Sequence, residues 1–106
     1  MESDWKKFSA MIPKLRERYL AERNPRIAQL LADPKKNETE RFWDAAEEIR
    51  KEAKILRECL DDHSRSRMWL AMITMRAAGM LKKEDLAGFS EELQKQVFDD
   101  LFEKRG

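Results

Sequence analysis

The chain has 106 residues, a formal net charge of +1, 41% charged and 42% hydrophobic residues, and only three glycines and three prolines. That length suits one domain, here taken as residues 1–106, and the balance of charge and apolar residues is that of a folded helical chain, not a disordered one. The small net charge excludes a bulk electrostatic drive toward nucleic acid or anionic membrane, and the single cysteine, Cys59, excludes an intrachain disulfide.

The opening residues MESDWKKFSAM lack the apolar stretch of a signal peptide. Within this first segment Trp5, Phe8, Ile12, Leu15 and Tyr19 recur three and four apart, which predicts one buried helical face, with Ser3 or Asp4 as its cap. Pro13 should kink that helix or begin a fresh one, because a proline removes a backbone donor and crowds the preceding turn. Asn24-Pro25 reads as a boundary, with Asn24 capping a short helix RIAQLLA that Asp33-Pro34 closes. PKKNETE then reads as a loop.

The strongest periodicity follows. Phe42, Ala46, Ile49, Ala53, Leu56 and Leu60 recur at four, three, four, three and four, and Asn37 with Glu40 is placed as a capping box. Trp43, Ile55 and Cys59 lie on a neighbouring stripe. Continued unchanged, the seam would carry His63 and Arg67 into a core, where unpaired charge is costly. Two solutions avoid this: a chain reversal near Asp61 to Ser64, with Asp62 or Ser64 as the next cap, or a rotation of the buried face along one long helix. The segment from Met68 to Ala78 is apolar on most sides, which suits a bundle centre or a subunit interface, and Gly79 is placed as its C-terminal cap. A turn around Glu84 to Ala87 and a last helix from Ser90 complete the chain, with Leu93, Val97, Phe98 and Leu101 facing inward.

No stretch alternates apolar and polar residues over strand length, and MWLAMITM is far short of a membrane span. The expected fold is therefore all-α: a bundle of four to five helices whose long central antiparallel hairpin comprises residues 38–61 and 64–79. The expected location is the cytoplasm.

Asp61, Asp62 and His63 offer carboxylate and imidazole, but the helical spacing of a metal site is missing, so no metal or cofactor is expected. Residues 63–83 carry five basic and no acidic side chains. Arg65, Arg67, Arg76, Lys82 and Lys83 there form a candidate phosphate-contacting patch, weighed against pairing with the acidic segments on either side. Arg57, five intervening residues and His63 resemble the Arg-x(4–6)-His pattern of HEPN-type ribonucleases, all-α proteins that commonly dimerise. The resemblance would imply proton transfer by His63 and phosphate binding by Arg57; Glu58 departs from the polar residue expected after the arginine. No phosphate-binding glycine loop or Ser-His-Asp spacing is present.

The expected function is non-enzymatic: a small interaction or adaptor protein, self-associating as a homodimer, that presents helical faces to a protein partner. Trp5, Phe8, Trp43, Met68, Trp69 and Met72 are the expected partner contacts, since tryptophan anchors and adaptable methionines suit such surfaces.

Overall fold

The computed structural model describes residues 2–98. Within them lie four α-helices and no strand: α1 (Glu2–Leu31), α2 (Glu38–Leu60), α3 (Met68–Ala77) and α4 (Glu91–Phe98). Single 3-10 turns at Arg65–Arg67 and Lys83–Leu86 precede α3 and α4. Leu101, expected to face inward, lies outside the described residues.

The boundary expected at Asn24-Pro25 does not form, and at Pro13 no fresh helix begins. α1 runs unbroken for 30 residues through Pro13 and Pro25. A helix-interior proline costs about 3 kcal/mol, chiefly through the missing N–H and its clash with the carbonyl four residues back. Here the carbonyls released belong to Ser9 and Ala21, both on exposed residues where water can reach them. The turn carrying Pro25 is also held on both sides, because Arg23 pairs with Glu52 at 3.4 Å and Arg26 with Glu48 at 3.2 Å. Asn24 accordingly lies inside the helix and caps nothing.

α2 begins where its capping box predicts. The Asn37 side chain accepts the Glu40 N–H at 2.8 Å while the Glu40 carboxylate accepts the Asn37 N–H at 3.0 Å. The chain then reverses at Asp61 to Ser64, with Asp62 in the left-handed region at φ 57°. The one-long-helix solution is thus not the one taken. α3 ends in a Schellman motif: Gly79 adopts φ 75°, its N–H bonds the Arg76 carbonyl at 3.0 Å, and the Met80 N–H bonds the Met75 carbonyl at 2.9 Å. Asp4, expected as a cap for its own helix, instead serves another. It is 5% exposed and accepts both the backbone N–H (3.0 Å) and the hydroxyl (2.7 Å) of Ser90, whose oxygen accepts the Leu93 N–H at the start of α4.

The core lies at one end of the molecule. Phe8, Leu15, Tyr19, Cys59, Leu60, Met68, Met72, Met75, Met80, Leu81, Leu86, Phe89, Leu93 and Val97 form a continuous apolar cluster. It draws on the first two-thirds of α1, the last turns of α2 and everything from α3 onward. α2 and α3 pack there, but the most extensive antiparallel pairing joins α1 to α2. Between residues 20 and 54 only Ala45 and Glu52 are buried. The C-terminal part of α1 and the N-terminal part of α2 therefore project from the core as a two-helix arm. The radius of gyration is 16.8 Å and the extents are 52 × 30 × 19 Å, against roughly 13 Å for the radius of a compact chain of this length.

Candidate protein-interaction face

The arm has two unlike sides. On one, the helices are joined by polar contacts: the Tyr19 hydroxyl donates to Glu52, which also pairs with Arg23, and Arg26 pairs with Glu48. Arg23 also stacks over the Tyr19 ring, 4.4 Å from its centroid. Burial first, then the hydrogen bond to the Glu52 carboxylate, raises the Tyr19 phenol above its ordinary value, so it stays protonated and donates.

The other side is apolar. Leu20, Asn24, Ile27, Ala28 and Leu31 of α1 and Ile49, Glu52, Ala53 and Leu56 of α2 line an open groove of about 420 Å³. Leu20, Ile27 and Leu31 and then Ile49, Ala53 and Leu56 recur at helical spacings that place each set on one stripe. Phe42 extends the α2 stripe toward the arm's tip, and Trp43 stands beside it with the two rings edge to face at 4.9 Å. Phe42 and Trp43 are each 56% exposed, Leu31 51% and Ile49 50%.

The prominent seam Phe42, Ala46, Ile49, Ala53, Leu56, Leu60 therefore does not face α1 along its length. Ala45, Glu48, Glu52 and Cys59, a parallel set spaced by three, four and seven, turn toward α1 and the core instead. Two stripes at helical spacing run side by side on α2, and periodicity alone does not say which of them the chain itself covers.

Of the expected partner contacts, Phe8 and Met72 are fully buried and Met68 is 6% exposed, so all three are held in the chain's own core. Trp5 is half-buried against Phe8, with Arg65 over its ring. Trp43 and Trp69 remain on the surface, on different parts of the molecule: Trp43 on the arm, Trp69 beside a small cleft with Asp4, Arg65 and Ser90. Leu20, Ile27, Leu31, Phe42 and Ile49 were not singled out from sequence as partner contacts. Of these, Phe42 and Ile49 belong to the periodic α2 seam, which the sequence reads as core-facing, whereas Leu20, Ile27 and Leu31 fall in no stripe the sequence reading picks out.

The polar hinge has a structural duty. The His63 ring lies edge-on to Phe8 at 4.8 Å, and its Nε2 is 2.8 Å from the Cys59 carbonyl. A carbonyl only accepts, so Nε2 carries the proton and satisfies a free acceptor in the last turn of α2. Glu58, Asp61, Asp62, His63, Ser64 and Arg67 line a cleft of about 260 Å³ there, and Arg57 is not among its lining residues. Among the described residues no group of three or more His, Cys, Asp or Glu side chains is placed to hold a metal ion. The Cys59 thiol is pushed up from its ordinary value by burial first and the Glu58 charge second, which keeps it in the unreactive protonated form.

Three of the five basic candidates already face acceptors within the chain. Arg65 pairs with Glu2 at 3.0 Å, Arg76 donates to the Val97 carbonyl at 2.7 Å, and Lys82 approaches Glu22 at 4.0 Å. Arg67 and Lys83 are exposed. Among the described residues no helix is long and apolar enough to cross a membrane. Comparisons with protein-family models, with curated proteins and with solved structures each find no match for this chain.

Proposed function

We propose that this chain is a non-enzymatic protein-interaction module of the cytoplasm that docks a protein partner on the apolar side of the α1/α2 arm. One observation carries the reading: from residue 20 to residue 54 the arm buries a single apolar side chain, Ala45, while Leu31 and Ile49 in the groove and Phe42 and Trp43 toward the tip stay half exposed. Helical stability in proteins comes mainly from packing an amphipathic face, and a two-helix layer needs a second layer on its apolar side. Exposed aromatic and aliphatic residues grouped in this way are the usual mark of an interaction surface.

Trp43 is the anchor of this face. Replacing it by photoreactive benzoylphenylalanine and illuminating living cells should give covalent adducts to protein, whereas the same residue in place of Lys95 on α4 should give none. Adducts from both positions alike, or from neither, would overturn the proposal. The phosphate-binding reading has less support, since Arg65, Arg76 and Lys82 are engaged internally. The ribonuclease reading has less as well, since His63 is engaged in closing α2.

A further inference from the structure

We propose that the occupant of the arm's apolar side is the same side of a second copy, related by a two-fold axis parallel to the arm, so that α1 of each copy lies against α2 of the other. This rests on the docking reading above and names its partner.

Two antiparallel helices with coplanar apolar stripes are half of a four-helix bundle. A two-fold dimer requires that the face be complementary to itself: whatever stands at one edge must fit what stands at the other. Helical geometry places Trp43, Arg50 and Arg57 on the outer edge of the α2 stripe and Glu17, Ala21 and Ala28 on the outer edge of the α1 stripe. All six side chains are exposed. The α2 edge is large and basic, while the α1 edge is small at Ala21 and Ala28 and carries Lys14 and, nearer the groove, Glu17.

The register within the arm decides which meet. Arg26 stands opposite Glu48, and Arg23 opposite Glu52. A two-fold axis parallel to the arm preserves these levels between copies, so Glu17 comes level with Arg57 of the second copy, while its Trp43 comes level with Leu31, about one turn past Ala28. Glu17 and Arg57 have no ionic partner within the chain among the described residues. Arg50 comes level with Asn24 and Pro25, within a long side chain's reach of the Ala21 carbonyl, which has lost its usual donor because Pro25 has no N–H. The continuous α1 and the basic edge of α2 thus acquire a joint use.

The alternative two-fold, perpendicular to the arm, sets α2 against α2. It opposes the Arg50 and Arg57 edges of the two copies and leaves the alanine edges facing each other, combining like-charge repulsion with a gap. Charge and size together select the parallel axis.

Sedimentation of the purified full chain should show a dimer at about 100 µM that dissociates on dilution, and Ile49→Asp should abolish it while leaving the helical circular dichroism intact. Glu17→Arg and Arg57→Glu should each weaken the dimer about tenfold, and the double exchange should restore most of the loss. A monomer at that concentration, or single exchanges without effect, would overturn the proposal. Mass measurement of the adduct formed from position 43 separates the two levels. An adduct of two copies, joined near Leu31, supports both. An adduct with a different protein overturns the second copy and leaves docking standing. No adduct overturns both.

Discussion

Arg18 and Asp85 meet fork to fork, Nη1 to Oδ1 at 2.8 Å and Nη2 to Oδ2 at 2.6 Å, while the same guanidinium donates to the Met80 carbonyl at 2.9 Å. One side chain from the middle of α1 thereby fixes both the segment leaving α3 and the 3-10 turn before α4. Bidentate pairs of this kind have the geometry that makes an ion pair specific.

The pair predicts an acid-sensitive step. The Arg18 hydrogen bond first, with help from the Lys82 backbone N–H and against the opposing effect of burial, holds the Asp85 carboxyl below the usual range. A lowered native value means that its stabilisation is complete above the unfolded value of about 4 and is lost as pH falls through the native one. Urea unfolding between pH 7 and pH 2 should show stability falling below about pH 4 in the native chain. Asp85→Asn should be less stable at pH 7 and show a flatter fall over that same acid range.

Asp4→Ala should destabilise the fold by about 1–3 kcal/mol, because it strips two bonds from Ser90 and leaves a partly buried N–H without its acceptor. The change acts 86 residues along the chain, at the start of α4. Hydrogen exchange should show loss of protection in the first turn of α4, while amides in the arm keep their native rates. An equal loss in both regions would contradict the assigned contact.

Tyr19→Phe removes the phenol that donates to Glu52 and should cost about 1.5–3 kcal/mol, the scale for a hydrogen bond to a charged acceptor. The phenol's raised native value also sets a sign: this contribution is present below about pH 10 and is lost as pH climbs through the native value. Denaturant midpoints at pH 7 and above pH 10 should converge between the native chain and the variant at the alkaline end.

Met72→Ala in the core should cost about 2–5 kcal/mol by leaving a cavity among fully buried neighbours. Trp69→Ala, on a side chain 41% exposed, should cost well under half as much. Thermal or urea unfolding of the two variants side by side tests whether α3 buries its methionines and shows its tryptophan. Equal losses would contradict that orientation.

Much of the fold was legible because local chemistry fixed it. The Asn37/Glu40 box, the reversal before Ser64 and the Gly79 cap each depend on a few neighbouring residues, and each formed where its residues stand. Pro25 misled because its rule is local while its context is not: Arg23 and Arg26 hold the helix against Glu52 and Glu48, residues of another helix. The candidate face misled for a related reason. Helical spacing marks Phe42, Ile49 and Leu56 as wanting cover but carries no information on whether α1 or another molecule supplies it. Glu48 and Glu52, which look like surface residues in sequence, occupy the line toward α1 because Arg26, Arg23 and Tyr19 meet them there.

Confining the core to one end gives the molecule two tiers of order. The arm's amides can open to solvent through local unzipping near the tip, past the loop between Leu31 and Glu38, without disturbing Phe8, Met72 or Val97. A partner docked on the apolar side, as proposed, would act as a thermodynamic clamp: by mass action, the arm's lifetime as a folded element would depend on how much partner surrounds it, while the lifetime of the cored end would not.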